Sequence, residues 1–232
     1  MDKHISSQFD AELNSISTRV LEMGGMVERQ IQWAVQALLE EDEELVRRVL
    51  ETERTINEVE LAVDADLSTT IARRQPTARD LRFLIGISKT LGNLERAGDE
   101  AARIARMAGS IMQSGQGRRL PVGELRLAAD LAAGLLRRAL DALARLDVEE
   151  AVAIMREDDR IDVEFNGFVR KLVTYMMEDA RTISPSLDLL FVAKAIERIG
   201  DHAKNIGEII IYIVKGLDVR HAALEQVETA LR

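Results

Sequence analysis

The sequence predicts an all-α protein made of two similar three-helix bundles, and three observations predict it. Apolar residues recur at helical spacing along nearly the whole chain. No stretch alternates with period two for long enough to make a sheet. The second half of the chain repeats the first, and long helices joined by short turns force antiparallel neighbours within each half.

Six helices are expected, and each has its own warrant. The first runs near residues 5–40, with Phe9 and Trp33 on its core side. The second, near 43–74, carries a stripe of Val46, Val49, Leu50, Ile56, Val59, Val63 and Leu67. Thr77 with Asp80 marks the start of the third, near 78–113, as an N-cap oxygen followed by an acid at N3. The run QSGQGRRLPVG from Gln113 to Gly123 is the most loop-like stretch and leads into a fourth helix near 123–145. Asp147 with Glu150 opens a fifth near 148–181. Ser184 followed by Pro185 reads as N-cap and N1 of a sixth near 185–215, and Gly216 supplies its stop. All three prolines, Pro76, Pro121 and Pro185, fall between periodic segments. The expected division is a first bundle over 5–115, a second over 116–216 and a polar tail over 217–232.

The repeat can be aligned residue by residue. ALLEEDEELVRRV from Ala37 matches ALARLDVEEAVAI from Ala142 at an offset of 142 − 37 = 105, which pairs Asp42 with Asp147 and Ile56 with Ile161. NLERAGDEAARI from Asn93 matches AIERIGDHAKNI from Ala195 at 195 − 93 = 102, so three residues are lost, near Pro185. A period of this length suits a duplicated bundle and is too long for a solenoid.

Composition narrows the function classes. The chain has 31 Lys and Arg against 40 Asp and Glu, a formal charge of −9, and its basic residues form no run longer than a pair such as Arg118–Arg119. Such a chain is a poor phosphate-backbone binder, so no nucleic acid partner is expected, and it does not read as a stand-alone binder of anionic membranes. With no cysteine, disulfides, thiol catalysis and thiolate metal sites are excluded. The polar start MDKHISSQFD and the shortness of the most apolar run, Ile209 to Val214, point to an intracellular, cytoplasmic protein. No nucleophile motif, Gly-rich phosphate loop or nucleotide fingerprint is present.

The feature that calls for chemistry is the repeated Glu-Arg-x-Gly-Asp. Glu95 with Asp99, and Glu197 with Asp201, stand at i and i+4, one face of a helix with Cβ atoms roughly 5–6 Å apart. Two carboxylates so placed repel by about 0.2–0.5 kcal/mol. The intervening Gly98 and Gly200 each cost about 1 kcal/mol against alanine. A sequence that accepts both penalties twice gains something from them: close approach at the glycine, and hard oxygen ligands for a cation. The preceding helix of each half offers partner oxygens. Asp158 and Asp162 map by the offset of 105 onto Glu53 and Asn57, so the first site is expected to carry less charge. Salt bridges from Arg54, Arg96, Arg103 or Arg160 are the bland alternative, in which the acids form solvated faces. His202 adjoins Asp201 but matches Glu100 in the other half, and reads as a surface histidine; His4 and His221 fall in terminal stretches and read as solvated.

The fragments RQPTARDLRFL, LERAGDEA, YMMEDARTIS, IERIGDHAKNI and YIVKG, in this order, are similar to the PhoU family of bacterial phosphate-transport accessory and regulatory proteins, over roughly residues 5 to 221. The resemblance implies two similar three-helix bundles and no enzymatic activity. It implies repression of phosphate uptake and of the phosphate-starvation response when phosphate is plentiful. That role links the ATPase subunit of the Pst phosphate ABC transporter to the PhoR sensor histidine kinase, so the membrane is met only through partners. It further implies a homodimer, and metal ions at the acidic motifs, carried over onto Glu95, Asp99, Glu197 and Asp201, with Asp158, Asp162 and Glu53 beside them. All-carboxylate ligation favours Mg, Mn or Fe, with Zn or Ni as adventitious occupants. The competing reading is a carboxylate-bridged di-metal (iron) enzyme of the helical-bundle type. Such sites use Glu-x-x-His, and the residue three after Glu95 is Gly98 and three after Glu197 is Gly200. A third reading is a helical scaffold whose acids bind no metal.

Overall fold

A computed structural model describes residues 7–115 and 120–231. Arg118, Arg119 and His4 lie outside the described residues. Within them the chain is helical, with no strand. Helices α1 (Ser7–Glu40), α2 (Glu43–Arg74) and α3 (Ala78–Ser114) form the first bundle, and α4 (Leu125–Arg145), α5 (Val148–Glu178) and α6 (Ile183–Lys215) the second. The halves pack through their third helices, α3 against α6, and more narrowly through α1 against α4. At 37 and 33 residues, α3 and α6 are about 55 and about 50 Å long at 1.5 Å per residue.

Local chemistry accounts for the breaks. The Asp42 carboxylate accepts from the backbone N–H groups of Glu44 and Leu45, and Asp147 accepts from Glu150 N at 3.0 Å, which satisfies first-turn donors of α2 and α5. Thr77 occupies the expected cap position of α3 but makes no side-chain cap bond; its carbonyl accepts from Asp80 N at 3.1 Å. Gly216 ends α6 in the left-handed region at φ 73°, where glycine carries no Cβ penalty.

Three expectations are corrected. The fifth helix stops at Glu178, and residues 180–182 form a single tight turn in which the Thr182 hydroxyl donates to the Asp179 and Tyr175 carbonyls. The sixth therefore begins at Ile183, and Pro185 lies inside its first turn, where its missing N–H would have had no partner in any case. The segment after Gly216 is not a plain polar tail: Val219 and Val227 are buried, and α7 (Leu224–Leu231) is held to α5 by Arg156, which donates to Glu228.

The core is continuous across both bundles, dominated by Leu, Ile, Val and Ala. Phe9 is buried as expected, whereas Trp33 is half-buried with the Arg48 guanidinium 3.8 Å from its ring centre. Among the described residues no helix is long and apolar enough to cross a membrane.

Candidate functional site

The two glycines of the repeated pentapeptide each have a packing reason, and it differs between the halves. A Cβ on Gly200 would stand 2.6 Å from Ile161 Cδ1, whereas one on Gly98 would stand 3.1 Å from Gln30 Oε1 on α1 and at an ordinary contact distance, 3.6 Å, from Ile56 Cδ1. Ile56 and Ile161 are themselves repeat equivalents, both fully buried on the second helix of their bundle. Gly200 thus lets α6 seat closely on α5, and Gly98 lets α3 seat closely on α1, so close approach serves helix packing. The carboxylates at i and i+4 flank that contact and are carried toward the acids of the neighbouring helix.

In the second half the expected residues come together. Asp201 is half-buried, and burial, then Glu197, Asp158 and Asp162, push its carboxyl up to about 6. Asp158 is only 4% exposed and accepts from Lys204 Nζ at 2.9 Å. Glu197 Oε1 accepts from Lys194 Nζ at 2.5 Å, while its Oε2 is buried with no hydrogen-bond partner. Asp162 is exposed at the rim.

The first half also assembles an acidic cluster, with members the sequence reading passed over. Burial, then Asp99, Glu60 and Glu53, push the Glu95 carboxyl up. Burial, then Asp64 and Asp99, push Glu60 up. Glu60 and Asp64 follow Glu53 and Asn57 along α2 at the spacing 53, 57, 60, 64, which is one helical face. That spacing is the signal that would have found them. Only Glu53 has a cation, Arg106 at 3.3 Å. Among the described residues Glu60, Glu95 and Asp99 make no ion pair. The first cluster is therefore the less neutralised of the two, although Asn57 stands where the second half has Asp162.

The neutralising residues also differ from those proposed. Arg103 pairs with Glu100 and Arg160 with Glu157, and neither reaches a candidate carboxylate. The lysines Lys194 and Lys204 do so in the second half, where the offset of 102 places Gly92 and Ala102 in the first.

One acid of each cluster, Asp99 and Asp201, lines a shared cleft of about 1180 Å³ between the halves. His202 lies in this cleft and is not a plain surface residue: burial, then Arg96 and Arg198, push its imidazole down to about 4. His221, expected to be solvated, is exposed on the same lining.

Oxygen-only donors, buried charge and an orphaned Glu197 Oε2 fit a hard cation. Among the described residues, no three His, Asp or Glu side chains stand close enough to hold a metal ion as placed.

The PhoU domain profile matches residues 20–108 and 125–210, one copy for each bundle. A phosphate-specific transport system accessory protein PhoU homolog of Burkholderia sp is 48% identical, over 97% of this chain and 97% of its own length. The phosphate-specific transport system accessory protein PhoU of Escherichia coli (strain K12) is 46% identical, over 100% of this chain and 95% of its own. Among solved structures, PhoU from Pseudomonas aeruginosa superposes with a TM-score of 0.87 at 42% identity, covering 90% of this chain and all of that one. The phosphate transport system regulatory protein PhoU from Streptococcus pneumoniae superposes with a TM-score of 0.83 at 26% identity, over 91% of this chain and 99% of the other.

Proposed function

This chain belongs to the PhoU family, and from that premise we propose that it is a non-enzymatic accessory protein of a phosphate transport system that restrains phosphate uptake and the phosphate-starvation response. The observation that carries the proposal is similarity over essentially the full chain to proteins named for that accessory role. In this reading the protein is cytoplasmic and homodimeric. It couples the ATPase subunit of the Pst transporter to the PhoR sensor histidine kinase and reaches the membrane through them.

The helical surface offers what protein docking needs. Large apolar side chains stand exposed on α5 and α6, among them Met177 and Phe191, in a molecule whose core is otherwise well filled. A cation is proposed at each acidic cluster, from Glu53, Glu60, Glu95 and Asp99 in the first half and from Asp158, Asp162, Glu197 and Asp201 in the second. These carboxylates sit on rotatable stems, and in this reading their side chains rotate to meet on the ion. The ion would neutralise crowded charge and stiffen the helix pair that carries it. Mg, Mn or Fe suits such oxygen ligation, and Zn or Ni can occupy it adventitiously.

The test is alkaline phosphatase output in a strain lacking the gene, at high phosphate, complemented with the wild-type chain or with Glu95→Ala, Asp99→Ala, Glu197→Ala, Asp201→Ala. The wild-type chain should restore repression. Output that is already low in the deletion strain removes the regulatory reading.

A further inference from the structure

The two copies of the pentapeptide meet across the α3–α6 contact, and their surroundings differ in one respect that creates a site. On one side, Arg198 of the second copy donates to Glu100 Oε1 at 3.0 Å, and Arg103 stands 3.4 Å from Glu100 Oε2. The repeat predicts the mirror arrangement, in which Arg96 of the first copy would meet the residue equivalent to Glu100. That residue is His202, and the equivalent of Arg103 is Asn205. The carboxylate has become an imidazole and the second guanidinium an amide. Arg96 is consequently exposed on the cleft lining and, among the described residues, lacks the carboxylate its twin has.

Hydrogen bonding fixes what His202 offers there. Asn93 Nδ2 donates to the Lys89 carbonyl at 2.9 Å, which orients the amide, and Asn93 Oδ1 accepts from Asn205 Nδ2 at 3.1 Å. His202 Nδ1 lies 3.1 Å from that same oxygen and must donate to it. A neutral imidazole with its proton on Nδ1 presents Nε2 as an acceptor, and among the described residues Nε2 makes no hydrogen bond. The cleft therefore sets a free guanidinium, which wants anionic oxygen, beside a ring nitrogen that wants a hydroxyl.

We infer that the Arg96–His202 face of the cleft binds a tetrahedral oxyanion that carries both groups, namely hydrogen phosphate, with its charged oxygens on Arg96 and its P–OH donating to His202 Nε2. The ion takes the place of the carboxylate that Glu100 supplies on the mirror side. Sulfate has the shape and charge but no hydroxyl. A phosphate monoester, with a second pKa of about 6, is mostly without its hydroxyl at neutral pH, so the requirement selects the free ion over a phosphorylated metabolite. Asp99 and Asp201 also line the cleft, so the anion is held by Arg96 and His202 against carboxylate repulsion. The inference rests on this asymmetry and not on the regulatory role proposed above.

Isothermal titration calorimetry of the full chain tests it, with inorganic phosphate, sulfate and adenosine monophosphate as ligands at pH 7 and matched ionic strength. Phosphate should bind at least about tenfold more tightly than sulfate or the monoester, and Arg96→Ala should lower phosphate affinity at least about tenfold. His202→Glu restores the mirror carboxylate, should pair internally with Arg96, and should abolish phosphate binding while circular dichroism stays helical; if that variant does not fold, Arg96→Ala decides. No phosphate binding by the wild-type chain, equal binding of sulfate, equal binding of the monoester, or unchanged affinity in Arg96→Ala overturns the inference. These are measurements on isolated protein, so their failure is separate from failure of repression in cells.

Discussion

Arg198 reaches from one half of the molecule to Glu100 of the other, Nη1 to Oε1 at 3.0 Å, and Glu100 is only 8% exposed. A buried carboxylate is costly unless its oxygens are satisfied, so this contact carries energetic weight that most surface ion pairs lack. Arg198→Ala should destabilise the protein by about 1–3 kcal/mol in urea unfolding, because Arg103 alone then faces the carboxylate. Arg198→Ala with Glu100→Gln should recover part of that loss. No recovery in the double variant would show that Arg198 acts through packing.

The glycine contacts make a second prediction. Gly200→Ala gains about 1 kcal/mol of helix propensity but drives its Cβ against Ile161 Cδ1 at 2.6 Å. Overpacking costs about 1–3 kcal/mol, so a net loss is expected. Adding Ile161→Val removes that methyl and should make the pair less destabilised than the sum of the single changes. Strict additivity in this double-mutant cycle would rule out the contact as the cause.

The acid response follows from two neighbours that titrate in opposite senses. Asp201 is pushed up to about 6 from 3.8, so the folded state holds its proton more tightly than the unfolded one. That group costs stability above pH 6, and the cost fades as pH falls from 6 toward 3.8. Solvent screening of this half-buried site keeps it near 1 kcal/mol. Asp201→Asn should therefore raise the Tm of metal-free protein at pH 7 and leave it nearly unchanged at pH 4. An equal gain at both values would point to packing and not charge.

His202 works the other way. Its imidazole is pushed down to about 4 from 6.5, so the unfolded state takes the proton first. The fold loses up to about 3 kcal/mol as pH drops through that window. His202→Gln should flatten the acid limb of a Tm-against-pH curve between 6.5 and 4. A curve that keeps its slope would assign the acid sensitivity to other groups.

Metal content is the last measurement. Asp99→Ala with Asp201→Ala should lower bound Mn or Fe, determined by elemental analysis after metal supplementation, while helicity stays close to wild type. Because Glu60 joins the first cluster, Glu60→Ala should lower occupancy in that half as well. Unchanged stoichiometry in both variants would place the ligands elsewhere.

Much of this architecture was legible in the sequence, because helical periodicity and short-range caps are local. Asp147 bonding Glu150 N and Gly216 turning left-handed need only neighbours in the chain. The offset of 105 also pointed to the pairing of Ile56 with Ile161, though not to the glycine that Ile161 crowds. What stayed hidden depends on contacts between distant segments. Lys204 reaching Asp158, or Val219 and Val227 sinking into the core from an apparently polar tail, has no signature within a few residues. Glu60 and Asp64 were within reach, since their phase on α2 continues that of Glu53, but the offset of 105 matches them to Phe165 and Val169, so the repeat does not mark them. His202 was misplaced because its partner Asn93 lies 109 positions away.

The close seating of α3 on α6 has a mechanical outcome. A duplicated protein is free to operate as two lobes on a swivel, yet here Ile209 and Ile213 of α6 press into the space left at Gly86 of α3, and one unbroken interior runs through both lobes. Such a joint resists bending and favours small sliding displacements. A displacement of one lobe against this seam would have to carry the other with it or open the packing at Gly86.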